Sequence, residues 1–342
     1  DPSTMIRAGC GWVCQRRAEI SRASIGLWPV AEPVALVALA LDAAIGWPAW
    51  LYRRIGHPIG LFARMLDACE QAWNRPDRSF ASRRTLGVLT MALLIGTVGG
   101  ASWLLQRAVL EGLGPVGWLA CALLAFPALA QRSLDDHVRA VALALEQRDL
   151  PTARTAVAQI VGRDPDALDA AGVSRAAIES LSESFCDGVA APLFWLLVLG
   201  LPGVWMYKAI NTADSMIGHR EERWRAFGWA AARIDDAVNL IPARLAGMVI
   251  CLAAGKGWRT MARDAGKHSS PNAGWTEAAM AGALDLRLVG PVAYDGVLYD
   301  KPWIGARGRS DAGAADIRRA LAIYRRACLL LWGIAGGLAW AL

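Results

Sequence analysis

The chain has 342 residues, 55% hydrophobic and only 19% charged, with a formal net charge of +6, a mean hydropathy of +0.31 and a pI near 9.1. That balance excludes a disordered chain and an ordinary water-soluble domain, because the apolar residues gather in runs approaching the ~20 residues that cross a bilayer as a helix. The basic residues follow the apolar runs without an aromatic-interleaved stripe, which argues against nucleic acid; the seven cysteines, with Cys10 and Cys14 the one close pair, lack a zinc spacing and read as reduced thiols.

Residues 1–28 form an N-terminal extension in which Arg16, Arg17 and Arg22 precede an apolar run, as in a signal peptide. The far end of the run meets Trp47, Trp50, Arg53 and Arg54 with no clear small-residue cleavage site, so the run reads as a retained first span. Strong spans are expected at 29–47, 86–105, 116–131 and 323–342, bounded by Arg, Gly, Pro or Trp. Residues 29–131 thus hold three spans and a basic loop, and 323–342 forms a C-terminal span. Asp42 is an acid inside the first span, either facing the protein interior as a functional group or touching water near the helix end.

Residues 132–322 read as a helical catalytic segment, rich in Ala, Leu, Arg and Glu, with no alternating strand pattern between 132 and 260. Asp149-Leu150-Pro151 and Arg163-Asp164-Pro165 look like helix starts. Two weaker apolar runs, 189–206 and 238–254, carry Pro192, Leu201-Pro202-Gly203, Asn239, Pro242 and Arg244, and are open to a re-entrant or partly embedded reading. If neither crosses, 31 of the 36 Lys and Arg lie on one face or its borders, which the positive-inside rule makes cytoplasmic. The expected fold is all-α: a multi-span integral membrane protein whose large cytoplasmic-facing helical segment lies between the third and last strong spans.

Several polar clusters sit beside these apolar runs. Glu179, Glu183 and Asp187 fall at i, i+4 and i+8, a column of repelling carboxylates that makes sense beneath a cation; its bland reading is a solvated acidic face. Asn211, Asp214, Ser215 and Gly218 share a helix face with oxygen ligands suited to Mg²⁺, while Lys208 and Arg220 suit phosphate; the alternative is a capped helix end. Arg233, Asp235, Asp236, Asn239 and Arg244 enter an apolar stretch where unpaired charge is costly, so they must pair or bind something. His268-Ser269-Ser270-Pro271-Asn272-Ala273-Gly274 is a loop. No P-loop, G-x-S-x-G or H-E-x-x-H motif is present, so a nucleotide needs another cradle.

The order of these blocks resembles the adenosylcobinamide-phosphate synthases of cobalamin biosynthesis, the CobD/CbiB type. The similarity runs from about residue 34 to the C-terminus through Leu41-Asp42 with Gly46, His57-Pro58 with Gly60, Arg132-Ser133-Leu134 with His137, Ile160-Val161-Gly162-Arg163-Asp164, and Asp187-Gly188 with Ala191-Pro192-Leu193-Phe194-Trp195. It continues through Tyr207-Lys208-Ala209, Asn211-Thr212, Asp214-Ser215-Met216, Phe227-Gly228-Trp229, Ala232-Arg233, Asp235-Asp236, Asn239, Pro242-Ala243-Arg244 and Ser270-Pro271-Asn272-Ala273-Gly274. One departure is Ser184 after Glu183, where the family often has Glu-Asn, and the first 28 residues have no recognised counterpart.

The resemblance implies a multi-pass enzyme of the bacterial inner membrane, active on the cytoplasmic side, with ATP and Mg²⁺ as cofactors and possible association with other enzymes of the pathway. It would join the carboxylate of adenosylcobyric acid to (R)-1-amino-2-propanol O-phosphate, or to aminopropanol, as an amide. From the clusters themselves, the expected catalytic set is Glu183, Asp187, Lys208, Asn211 and Asp214. Glu183, Asp187, Asp214, Asp235 and Asp236 are the metal set, and Lys208, Arg220, Arg233, Arg244, His268, Ser270 and Asn272 the substrate and phosphate set. An ion pair with Asp235 or Asp236 is the competing role for Lys208 and Arg244. Two other activities compete. A membrane alcohol phosphotransferase shares Asp187-Gly188-x-x-Ala191, but the match fails at Pro192; a corrinoid carrier or transporter finds no inverted repeat to support it.

Overall fold

The computed structural model describes residues 33–341 except 163–164, 291, 295–296 and 300–301. The extension at 1–28, the Cys10/Cys14 pair and the start of the first span lie outside the described residues, as do Arg163 and Asp164. The helix start expected at Arg163-Asp164-Pro165 is not found there: Pro165 to Asp169 are not helical, and the helix begins at Ala170, where the Asp169 carboxylate caps it by accepting the Gly172 N–H at 2.6 Å. In chain order the helices are α1 (Val34–Ala44), α2 (Ala49–Ile55), α3 (Ile59–Trp73), α4 (Phe80–Leu113), α5 (Gly117–Ala125), α6 (Gln131–Glu146), α7 (Leu150–Ala158) and α8 (Ala170–Phe185). They continue with α9 (Ala191–Ile217), α10 (Glu222–Arg225), α11 (Trp229–Val238), α12 (Leu240–Ala254), α13 (Trp258–Asp264), α14 (Ala273–Leu284) and α15 (Ala314–Ala341).

Three helical stretches, Phe80–Glu146, Ala170–Ile217 and Ala314–Ala341, are long and apolar enough to cross a membrane. Two bent pairs, Val34–Ala44 with Ala49–Trp73 at 102° and Trp229–Val238 with Leu240–Ala254 at 49°, raise the number to five if each is one crossing. The chain is therefore an all-α, multi-span membrane protein. Helix α4 shows how such a helix is written. Ser79 caps it by accepting the Ser82 N–H at 3.2 Å, Met91 and Leu94 point inward, and Val88, Leu89, Leu93 and Leu104 face outward as lipid-facing side chains do. The apolar run at 116–131 is shorter as helix than as sequence, since α5 covers nine residues, about 13 Å of rise.

Lipid tails are as apolar as leucine, so these helices are held by close packing and by hydrogen bonds between them. Small residues allow the approach: Ala176, Ala177, Ala278, Ala279, Ala281 and Ala283 are all fully buried between α8, α14 and their neighbours. Gly228 sits so close to α9 that a Cβ there would lie 1.6 Å from the Ile217 carbonyl oxygen. The expected interruption of the 189–206 run falls at Gly200, whose φ of +67° breaks α9 just before Pro202. The freed Leu201 N–H is not left bare, because Gln106 of α4 accepts it at 2.8 Å.

Asp42 is neither wet nor free. Its Oδ2 accepts the Gln131 backbone N–H at 2.6 Å and the Gln131 amide at 3.3 Å, so a carboxylate of α1 caps the start of α6. Gln131 in turn accepts from Trp332 Nε1 at 2.9 Å and from the Tyr324 hydroxyl at 2.8 Å, which ties α15 to the same point. Asp149 begins α7 as expected, with its carboxylate accepting the Thr152 N–H at 3.0 Å and the Thr152 hydroxyl at 2.7 Å.

Strand is confined, among the described residues, to a short excursion before α15. Strands β1 (Leu288–Val289) and β4 (Trp303–Ile304) pair antiparallel, as do β2 (Val292–Tyr294) and β3 (Val297–Tyr299). Two carboxylates pin it to the helices: Glu179 accepts the Val289 N–H at 2.8 Å and Asp264 accepts the Gly305 N–H at 2.9 Å. Asp264 is fully buried. Hydrogen bonds from Arg263, then from Lys267 and Gly305, hold its carboxyl well below the usual carboxylate range against the opposing cost of burial.

Candidate functional site

Between α8 and α9 the chain makes one π-helical turn, Cys186–Ala190. Such a turn inserts a residue into the α repeat and is enriched at functional sites because it re-aims side chains. The acidic column of the sequence divides here. Glu179 is spent on β1, Glu183 is exposed on α8, and Asp187 alone turns into the helix interior. The turn is fixed from outside as well, since the Ala130 N–H donates to the Gly188 carbonyl at 3.0 Å.

Around Asp187 the second half of α9 and the junction of α11 with α12 deliver a polar cluster. The Asn211 amide donates to Asp187 Oδ2 at 3.3 Å. The Tyr207 hydroxyl lies 3.3 Å from Asp187 Oδ1 and 3.0 Å from Asn239 Oδ1; its one proton serves one of these acceptors at a time. Asn239 passes the chain on by donating to Asp235 Oδ2 at 3.0 Å. The other oxygen, Asp235 Oδ1, is buried without a hydrogen-bond partner. Lys208 is buried, with the Asp187 backbone carbonyl at 3.5 Å as its nearest bond. Asp214, half-buried one helical turn beyond Asn211, lies within electrostatic reach of Asp187, Asp235 and Asp236.

A second cluster adjoins this one through Asp236. Asn272 donates to the Asp236 backbone carbonyl at 2.9 Å and accepts from Arg244 at 3.4 Å. Arg244 lies over the Trp275 ring at 4.8 Å and donates to Leu240 O at 2.6 Å. Among the described residues neither Lys208 nor Arg244 forms an ion pair with a carboxylate; it is Arg233, exposed on α11, that pairs with Asp236 at 3.4 Å. Lys208 lies within electrostatic reach of Asp187 and Asp235 without closing a salt bridge to either, so its charge-pairing role stands beside the phosphate-binding one, while Arg244 has no carboxylate partner among the described ion pairs. Ser270 caps α14, accepting the N–H groups of Asn272 at 3.2 Å and Ala273 at 3.3 Å. His268 accepts the Ser270 N–H at 3.0 Å and faces the buried Glu277 at 3.7 Å, while Arg220 is exposed just past the end of α9.

The structure thus gathers Asp187, Lys208, Asn211, Asp214 and Asp235 at one place and sets Arg233, Asp236, Arg244, His268, Ser270 and Asn272 along its border. Glu183 and Arg220 stand at its exposed edge. No group of three or more His, Cys, Asp or Glu among the described residues converges closely enough to hold a metal unaided. Tyr207 and Asn239, which orient the carboxylates, give no signal along the chain beyond lying in polar blocks beside apolar runs. Their roles come from α9 crossing the α11–α12 bend.

The chain is thus a multi-span helical protein that sets Asp187 beside the buried Asp235 and Lys208 in an apolar setting, an arrangement that is costly in a membrane protein. A family model described as CobD/Cbib protein matches residues 35–324, and the chain belongs to that family. Curated relatives bear it out. A cobalamin biosynthesis protein CobD from Rhodobacter capsulatus is 51% identical over 298 residues, covering 85% of this chain and 92% of the relative. Another of the same name from a Sinorhizobium species is 46% identical over 306 residues, covering 87% and 94%, and one from Brucella melitensis is 44% identical over 308 residues with the same coverage. No solved structure matches the chain. The protein thus takes part in cobalamin biosynthesis.

Proposed function

We propose that the chain is an ATP-dependent acid–amine ligase, joining the carboxylate of adenosylcobyric acid to (R)-1-amino-2-propanol O-phosphate or aminopropanol as an amide. The observation that carries this reading is the pairing of a buried, partnerless Asp235 oxygen with Asp187 and the nearby Lys208 cation. A carboxylate does not condense with an amine in water at neutral pH unless its oxygen is first made a leaving group, and transfer of a phosphate-bearing group from ATP does that.

The donor set fits Mg²⁺: hard carboxylate oxygens, one of them buried and unsatisfied, and too few for a closed protein cage. Mg²⁺ is commonly held by one or two carboxylates plus substrate phosphates. Asp187 and Asp235 would hold it, with Asp214 and Glu183 nearer the rim, and it would supply neutralisation of phosphate charge. Lys208 and Arg244 bring positive charge to the same anion. Asn211, Tyr207 and Asn239 fix the carboxylates, and the apolar walls of α8, α9 and α12 keep water out, which strengthens every charge inside. The active site faces the cytoplasm of a bacterial inner membrane, where ATP is found.

The test is direct. Purified protein in detergent, given the corrinoid acid, either amine and labelled ATP, is expected to yield an amide product with nucleotide cleavage in step; nucleotide cleavage without amide would defeat the reading. Single cysteines at Gln147 and Arg225, both exposed, test the orientation in a background without other reactive thiols. Labelling from opposite faces would refute the one-sided site. Cys186 is unsuitable because it is buried.

A further inference from the structure

A cleft of about 610 Å³, lined by Tyr52, Gly56, His57, Ile59, Gly60 and Arg64, opens where the chain turns from α2 into α3. No carboxylate lines it. The Arg64 guanidinium is exposed, bonds the Gly60 carbonyl of its own helix at 3.2 Å, and forms no ion pair among the described residues. Behind it, His57 is fixed. Its Nδ1 accepts the Ile59 N–H at 3.3 Å, its ring bonds the Pro127 carbonyl, and Trp47 packs edge-on against it at 5.0 Å. With one nitrogen accepting and the other donating, the ring is held as a neutral imidazole wall.

The cleft is a neighbour of the Asp187 cluster. The segment that carries Pro127 also carries Ala130, whose N–H bonds the π turn at Gly188, next to Asp187. The Lys208 charge lies within electrostatic reach of His57.

Resting on the ligase reading above, we infer that this cleft is the binding site for the small, water-soluble phosphomonoester co-substrate, with Arg64 and the Tyr52 hydroxyl receiving its phosphate and its amine end directed past His57 toward Asp187 and Lys208. Size and charge choose this occupant. A corrinoid is too large to be enclosed there. ATP with Mg²⁺ calls for carboxylates that the cleft lacks. A phosphomonoester needs a guanidinium and a hydroxyl without competing acids, and the cleft presents both.

The experiment compares aminopropanol phosphate with aminopropanol on the wild-type protein, Arg64→Ala, Arg64→Lys and Tyr52→Phe, in nonionic detergent. Calorimetric binding and KM are both read. Arg64→Ala is expected to weaken the phosphorylated amine about tenfold or more, with free aminopropanol and the KM for ATP nearly unchanged. Arg64→Lys should recover part of the loss, and Tyr52→Phe should lose only a few-fold. Equal loss for both amines, or no loss for either, overturns the inference, as does failure of the wild type to bind the phosphomonoester. Displacement by phosphatidylglycerol with no effect of aminopropanol phosphate would assign the cleft to lipid headgroups and also overturn it. Arg64-dependent binding without any amide product would sink the ligase reading and leave the cleft standing.

Discussion

Asp42 and Asp235 are both carboxylates buried in helices that border the membrane, yet their surroundings differ in one respect. The oxygen of Asp42 that faces α6 receives two hydrogen bonds from Gln131, and Gln131 is itself saturated by Trp332 and Tyr324. Asp235 has one oxygen bonded to Asn239 and one bonded to nothing. A closed network rigidifies; an open one is a standing cost that natural chains retain where a ligand closes it. Burial of a charge in an apolar helix therefore does not by itself mark a site. The proposed function rests instead on the open position at Asp235 lying beside Asp187 and Lys208.

The largest expected effect breaks the open cluster. Asp187→Asn keeps the shape but removes the charge, and should lower turnover about 100-fold or more while insertion and expression stay near normal. Wild-type turnover with unchanged Mg²⁺ dependence would show that Asp187 is not a metal ligand. Next, Lys208→Ala should raise the KM for ATP about tenfold and leave the KM for the corrinoid little changed. Loss of folded protein with both constants intact would return Lys208 to a structural role.

The closed network should respond in the opposite way. Asp42→Ala leaves the Gln131 N–H unsatisfied and is expected to lower stability by about 2 kcal/mol, read as thermal unfolding in detergent, with KM values unchanged. A change in KM without loss of stability would mean that Asp42 belongs to the site after all.

The smallest effect is one of pH and concerns Asp264. Its folded carboxyl titrates below its ordinary value of 3.8 because Arg263 and Lys267 hold the charged form. A depressed carboxyl stabilises the fold in full above the ordinary value, and that contribution is lost as pH falls below it. Unfolding midpoints measured from pH 6 down to about 3 should therefore drop less steeply in Asp264→Asn than in the wild type, from a lower start. Parallel curves would remove Asp264 as the group responsible.

Much of this was open to reading along the chain. Runs such as 86–105 announce lipid-facing helix by their composition, and Asp149-Leu150-Pro151 announces a helix start, because both signals are local. The blocks around Asp187, Lys208 and Asp235 were visible as polar groups where polarity is costly. What stayed hidden was pairing. The i, i+4, i+8 spacing placed Glu179, Glu183 and Asp187 in one column, whereas β1 takes Glu179 and the π turn redirects Asp187. Asp42 looked like a lone acid because its partners lie 89 residues away and more along the chain.

The sequence by itself determined the class of fold and its family, since apolar length and ordered motif blocks are properties of neighbours along one strand of chain. Only the tertiary structure decided which polar groups satisfy one another. Hydrogen bonds reach about 3 Å, and whether Tyr207, Asn211 and Asn239 come that close to Asp187 and Asp235 depends on where α9 breaks at Gly200 and how sharply α11 bends into α12.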